Sequence, residues 1–162
     1  MDMKLTEDFF ARDSETVAKD LLGRQLVRQI GKRTYRGRIT ETGAYSGYVE
    51  KRMQEELAYP PGILYIHTGQ RGYSTMAIGT EREGVPSVVT IRRLYPLEGI
   101  ERPVNSPGKL TESLKIDRSL DKLSINGNDL WIEGDGVDER HVMPISDSGM
   151  ASNCLGYYRL RI

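Results

Sequence analysis

The chain has 162 residues, and its 23 lysine and arginine residues are balanced by 23 aspartate and glutamate residues. This length fits one domain that buries about 70% of its unfolded surface. The content of 38% hydrophobic and 28% charged residues indicates a globular chain rather than a disordered one. No apolar run approaches the roughly 20 residues of a membrane span, and the acidic start differs from a signal peptide. One cysteine and two histidines predict neither an internal disulfide nor a typical zinc site. We therefore expect a cytoplasmic monomer with no membrane contact, metal or cofactor.

The charges are unevenly distributed along the chain. Six basic residues and no acid lie between positions 24 and 38, whereas four acids and no base lie between positions 133 and 139. One interpretation is a basic face that meets phosphates. The other is a solvated hairpin edge that carries lysines and arginines.

The predicted elements begin with a helix over residues 6–10 and 13–23, with Asp13 or Ser14 as its N-cap and Gly23 as its C-terminal stop. Two strands follow, at 25–30 and 34–45, joined by a hairpin turn at Gly31. Apolar and β-branched residues predict further strands at 63–68, 73–78, 87–94, 129–133 and 157–162, with a helix starting at Pro107. The prediction is a single α+β domain over residues 1–162, with a mostly antiparallel β-core and a few short helices.

Period-two alternation in the second strand predicts a shared face. The residues assigned to this face are Tyr35, Gly37, Ile39, Glu41, Gly43 and Tyr45. The alternation therefore places Glu41, Gly43 and Tyr45 on one face of the strand.

Several short stretches occur in a recognisable order along nearly the whole chain. They include Arg36-Gly-Arg-Ile-Thr-Glu-Thr-Gly-Ala-Tyr-Ser-Gly, Pro61-Gly-Ile-Leu-Tyr, Arg92-Arg-Leu-Tyr-Pro-Leu-Glu-Gly-Ile-Glu and Pro107-Gly-Lys-Leu-Thr. Their number, order and spacing resemble the alkyladenine (3-methyladenine) DNA glycosylase family. The resemblance implies that family's compact α/β domain with an antiparallel core. It also implies double-stranded DNA with a damaged base as the partner, and association with the nucleoid in a bacterium.

Members of that family rotate a damaged base out of the duplex, because its N-glycosidic bond is unreachable within the stack. Aromatic side chains sandwich the base, and a carboxylate activates the attacking water. By resemblance, Tyr45 lies at the position of a base-stacking tyrosine, and Arg92 at that of an arginine that helps to hold the water. Gly43 lies where the water-activating glutamate is expected, so this chain lacks the family's proton acceptor.

Other positions of the family's site are also altered. His67 and Gln70 replace a second stacking tyrosine and an intercalating tyrosine, and Ala77 replaces an asparagine of the pocket. Gln70 and Arg71 either fill the stack that the base leaves or form an ordinary tight turn between two glycines.

Two residues are candidates to replace the missing carboxylate. Glu41 lies roughly 6.6 Å along the strand from Gly43, whereas a general base acts within about 2.6–3.2 Å or through one water. Glu41 therefore acts through a shifted substrate or a bridging water, or else it is an ion-pair partner of Arg36, Arg38 or Arg92. His67 titrates near neutrality and fits proton transfer or stacking, or is an ordinary hydrogen-bonded histidine.

The sequence thus predicts a DNA glycosylase-like protein that binds DNA, flips an alkylated purine and excises it by N-glycosidic hydrolysis, with weakened or altered catalysis. Restoring the carboxylate by Gly43→Glu is expected to raise excision where the pocket admits it. One alternative is an inactive module that binds damaged DNA or a nucleobase. Another is a protein that acts on a free nucleoside or a similar small molecule, which the zero net charge favours.

Overall fold

One eight-stranded sheet organises the chain, whose computed structural model describes residues 3–46, 60–68, 74–146 and 150–161. Three short helices accompany the sheet: α1 (Glu7–Phe10), α2 (Ser14–Leu21) and α3 (Pro107–Ser113). The strands are β1 (Gln25–Ile30), β2 (Arg33–Ser46), β3 (Leu64–Thr68), β4 (Ser74–Gly79), β5 (Ser87–Glu98), β6 (Leu130–Glu133), β7 (Val142–Ile145) and β8 (Cys154–Leu160).

The sheet is built around β2, its longest strand. The order is β3-β4-β5-β2-β1-β6, and every pair is antiparallel. On one side, β2 pairs with β5 from Arg36 to Ser46. On the other side, β1 pairs with the first part of β2 and β8 pairs with residues 41–45, while β7 pairs with β8. The C-terminal half of β2 therefore lies between strands from distant parts of the chain.

The main core lies on one face of this sheet, beneath α2 and α3. Asp13 is the N-cap of helix α2, in agreement with the first of the two predicted caps. Its carboxylate accepts a hydrogen bond from the Thr16 backbone N–H at 3.0 Å. That bond holds the pKa of Asp13 below its ordinary value. The helices contribute buried side chains that pack against the inward residues of the strands. These helical side chains are Val17, Ala18 and Leu21 from α2, Leu110 from α3 and Leu114 directly after α3.

The predicted face of β2 is wrong over its first half. The pairing of β2 with β5 shifts register between Ile39 and Glu41 and again between Glu41 and Thr42. Such a bulge changes which face the following residues occupy. Tyr35 and Ile39 consequently pack in the main core, whereas Tyr45 belongs to a second cluster on the opposite face.

The α+β prediction with an antiparallel core is confirmed, and each predicted strand is found within a few residues of its expected bounds. The short strand β7 was not predicted, and the helical segments predicted at 6–10 and 13–23 form two separate helices, α1 and α2. No helix among the described residues is long and apolar enough to cross a membrane.

The basic run between positions 24 and 38 is engaged largely in internal contacts. Arg24 donates to the carbonyls of Asp20 and Gly134, and Arg38 donates to the carbonyl of Gly23. Arg28 is 9% exposed and donates to the carbonyls that follow α3. Arg36 has three partners, which are Gln25, Glu98 and Glu133. These arginines stabilise the fold, so the run is a poor basis for a DNA-facing surface.

Candidate active site

A row of five residues crosses the face of the sheet opposite the main core. Register pairs Tyr65 with Ala77, Ala77 with Thr90, Thr90 with Gly43, and Gly43 with Tyr157. Residues directly opposite each other on neighbouring strands project from the same face. Two tyrosines therefore flank a stretch of small side chains, with Gly43 in contact with both β5 and β8.

Tyr45 and Tyr157 form a pair at one end of this row. Their hydroxyl oxygens are 3.1 Å apart, and their ring centroids lie 6.3 Å apart with an edge-to-face angle of 63°. Each residue is 6% exposed. Burial, and then the hydrogen bond with Tyr157, raises the pKa of Tyr45, so its phenol stays neutral at ordinary pH. The predicted base-stacking residue thus packs its ring against another tyrosine.

The space above Gly43 is occupied by its neighbours. A Cβ atom at this position would lie 2.9 Å from Thr90 Oγ1 and 3.0 Å from Tyr157 Cδ1. Both distances are shorter than the roughly 3.5–4.0 Å of a favourable contact. The Thr90 hydroxyl is itself buried and has no hydrogen-bond partner in the part of the chain that the structure describes. A glutamate side chain at Gly43 therefore requires Tyr157 or Thr90 to move, which the sequence could not reveal.

Glu41 is the buried carboxylate nearest to Gly43 along β2, and it is 3% exposed. Its Oε2 accepts a hydrogen bond from Arg92 Nε at 3.0 Å. Its Oε1 accepts from Arg159 Nε at 2.8 Å, with Arg159 Nη2 at 2.7 Å. Arg93 Nε lies 3.2 Å from the same Oε1, although its geometry does not make a hydrogen bond. We call these four residues the arginine cluster.

Two arginines of the arginine cluster, Arg92 and Arg159, donate to the two oxygens of Glu41. Of the roughly four acceptor positions of a carboxylate, three are used by Arg92 and Arg159, which leaves about one on Oε2 for a water. The ion pair of Glu41 with Arg92 is confirmed, and the catalytic role of Glu41 through a shifted substrate or a bridging water stays a prediction. Arg36 and Arg38 are directed to other partners and do not contact Glu41.

Arg92 connects the arginine cluster to the tyrosine pair. Its guanidinium carbon lies 3.8 Å from the centroid of the Tyr157 ring, within the range of a cation–π contact. The same side chain donates to Glu41, so its position is fixed from two sides. Because a guanidinium keeps its proton in proteins, Arg92 can orient a water or an anion but cannot act as a base.

His67 and Ala77 lie farther from Gly43 on the same sheet. His67 is on β3, opposite Thr75, and β3 is three strands away from β2. Three strand spacings amount to roughly 14 Å along the sheet, far beyond hydrogen-bond reach. This spacing does not favour His67 as the replacement for the missing carboxylate at Gly43, and that role stays a prediction. Ala77 lies in the row between Tyr65 and Thr90, and Gln70 and Arg71 lie outside the described residues.

Four residues of this site were not identified from the sequence, and they are Thr90, Arg93, Tyr157 and Arg159. The alternation of Tyr157 and Arg159 in a predicted strand was the one available signal, because it places both side chains on one face. Their pairing with Gly43 and Glu41 is a long-range contact that no local pattern encodes. No group of three or more histidine, cysteine, aspartate or glutamate side chains among the described residues could hold a metal ion.

Comparisons with known proteins identify the family of this chain. Residues 8–150 match the family model described as methylpurine-DNA glycosylase. A protein of Legionella pneumophila (strain Lens) named "Putative 3-methyladenine DNA glycosylase" is 34% identical over 138 residues, which cover 80% of this chain and 75% of that protein. A protein of the same name from Clostridium perfringens is 32% identical over 166 residues, covering 83% of this chain and 81% of the relative. The chain therefore belongs to the methylpurine-DNA glycosylase family.

Proposed function

We propose that this protein binds duplex DNA that carries an alkylated purine and releases only those purines whose N-glycosidic bond is already labile. Membership of the methylpurine-DNA glycosylase family supports the choice of substrate. The restriction to labile purines rests on the described part of the site, where Gly43 has no side chain and Glu41 is held by arginines.

The state of the carboxylate carries this proposal. Gly43 offers no side chain, and both oxygens of Glu41 are engaged by Arg92 and Arg159. An attacking water at Gly43 therefore finds no free carboxylate among the described side chains of the site. Loss of general-base assistance typically costs about 10²–10⁴-fold in rate.

The chemistry of the leaving group explains why some activity is expected to remain. Hydrolysis of an N-glycosidic bond passes through an oxocarbenium-like state, and its barrier falls when the departing base already carries positive charge. A purine alkylated at N7 or N3 is such a cation, whereas deaminated adenine is neutral. The protein then contributes binding and orientation, both of which act without a proton acceptor.

The test compares two duplexes that differ in a single base, 7-methylguanine in one and hypoxanthine in the other. Alkaline cleavage at abasic sites measures base release, with an undamaged duplex as the control. We expect slow release of 7-methylguanine above the rate in buffer and no release of hypoxanthine. Comparable release of the neutral base would contradict the proposal, because that reaction requires a working general base.

A second candidate function is lesion binding without excision. The observation in its favour is the packing of Tyr45 against Tyr157, which buries the ring that is predicted to stack on the base. Under this function, the protein binds the 7-methylguanine duplex more tightly than the undamaged one and releases neither base. Measuring both binding and release on the same duplexes separates the two candidates.

A further inference from the structure

The arginine cluster contains more positive charge than its single carboxylate neutralises. Three guanidiniums surround one carboxylate, which leaves two positive charges in excess. No ion pair among the described residues joins Arg92, Arg93 or Arg159 to a second carboxylate. Like charges held together repel each other, so an anionic ligand would stabilise the arrangement.

The hydrogen-bond donors in excess belong to Arg93 and Arg159. A guanidinium carries five N–H donors in a planar fork that matches carboxylate and phosphate groups. Arg93 Nε is buried 3.2 Å from Glu41 Oε1 and makes no hydrogen bond with any described residue, so Glu41 leaves the Nη donors of Arg93 unused. Arg159 uses Nε and Nη2 on Glu41, and its Nη1 has no acceptor among the described residues. The side chains of Arg93 and Arg159 are 42% and 38% exposed, so a ligand can reach them.

Glu41 holds these donors in place before a ligand arrives. Its carboxylate is 3% exposed and is fixed by Arg92, which in turn stacks on the Tyr157 ring. Fixed donors lose less conformational entropy on binding than free surface arginines do. Glu41 is thus a positioning residue for a cationic site, because it holds Arg92 and Arg159 in fixed places.

We propose that Arg93 and Arg159 form a binding site for one phosphate group beside the tyrosine pair. The arginine cluster lies two residues along β2 from Gly43, roughly 6.6 Å, a spacing comparable to that between the base and the phosphate of one nucleotide. This inference rests on the proposed function in taking a backbone phosphate of the damaged strand as the source. A free phosphate or a mononucleotide has the same chemistry, and the experiment separates these sources.

The first experiment measures duplex binding by fluorescence anisotropy over a range of salt concentrations. Replacing Arg93 or Arg159 with glutamine should each lower the slope of log affinity against log salt by about one, as expected for one lost phosphate contact. The variants Arg93→Lys and Arg159→Lys keep the charge and should keep a slope near that of the wild type. Arg118→Gln is the matched control, because Arg118 is an exposed arginine beside Leu120 of the main core.

The second experiment needs no variant and uses inorganic phosphate. The arginine Nε–H resonances of the wild-type protein are followed by NMR as phosphate is added, and those of Arg93 and Arg159 should shift while that of Arg118 does not. Phosphate shifts together with unchanged DNA affinity in the glutamine variants would favour a free phosphate or mononucleotide, and would overturn the backbone source. Absence of both the shifts and the slope changes would overturn the site itself.

These outcomes are independent of the test of the proposed function. Lesion-selective binding with slopes unaffected by Arg93→Gln and Arg159→Gln leaves the proposed function standing and refutes the phosphate site. Phosphate shifts in a protein that binds no duplex would support the site and refute the proposed function.

Discussion

Replacing Gly43 with alanine tests whether the space above this residue is filled, as the contacts indicate. The new Cβ would lie 2.9 Å from Thr90 Oγ1 and 3.0 and 3.1 Å from two carbons of the Tyr157 ring. Overpacking of this kind costs about 1–3 kcal/mol, and the lower chain entropy of unfolded alanine offsets about 0.4–1 kcal/mol of this cost. We expect a net loss of about 0.5–2 kcal/mol in the free energy of unfolding.

Thermal and urea denaturation measure this loss. For a domain of this size, each kcal/mol corresponds to about 2–4 °C in Tm, so the expected decrease is about 1–8 °C. Gly127→Ala is the matched control, because a Cβ there meets only the Ser124 carbonyl at 3.5 Å and its φ lies outside the left-handed range. That variant should be neutral or slightly more stable.

A double-mutant cycle identifies the source of the cost. In a Thr90→Ala or Tyr157→Ala background, one of the two close contacts is removed, so Gly43→Ala should cost less than in the wild type. The reasoning is refuted if Gly43→Ala is as stable as Gly127→Ala, or if its cost is the same in all three backgrounds.

Three further predictions concern the same face of the sheet and its surroundings. Gly43→Glu alone should lower the Tm and leave 7-methylguanine release unchanged, whereas a gain of about 10²–10⁴-fold would show that the pocket accepts the carboxylate after all. Glu41→Gln should lower the free energy of unfolding by about 1–3 kcal/mol, which is less than the roughly 3–5 kcal/mol of a fully buried ion pair because the arginines reach solvent. Base release per folded molecule should persist, and its loss at unchanged Tm would make Glu41 catalytic. Burial raises the pKa of Tyr158 to about 12, with smaller contributions from the charge of Glu15 and the hydrogen bond to it. The unfolded chain therefore releases this proton at a lower pH than the folded protein, and the free energy of unfolding should decrease between about pH 10 and 12. Tyr158→Phe should flatten that decrease in denaturation experiments, and an unchanged pH profile would contradict the prediction.

The sequence predicted the elements of the sheet well, because β-branched runs, turns and caps are local signals. The hairpin between β1 and β2 is found at Gly31, with Ile30 paired to Arg33. Asp13 caps α2 as expected. The faces of β2 were less predictable, because the bulge next to Glu41 interrupts the alternation that sequence reasoning extends along the strand.

The candidate site was predicted only where the family motif names a position. Gly43 and Tyr45 were singled out by that motif. Tyr45 is a member of the tyrosine pair, and Gly43 lies against the ring of Tyr157. Tyr157 and Arg159 were missed because β8 approaches β2 across more than a hundred residues of sequence, as the separation of 118 between Arg159 and Glu41 illustrates. The partners of Glu41 depend on this approach and on the bulge, neither of which a linear pattern encodes.

The pairing of β2 with β8 also has a kinetic consequence. Contacts of such high sequence separation close late, because a large loop must lose entropy before the contact stabilises it. Until β8 docks, residues 41–45 of β2 have an open edge and the Glu41 carboxylate lacks Arg159. The β1–β2 hairpin and the β3–β4 hairpin can form early, since each pairs neighbouring segments. Refolding should therefore show a slow phase in which secondary structure is largely present while the tyrosine pair is still unassembled, and tyrosine absorbance should follow that phase.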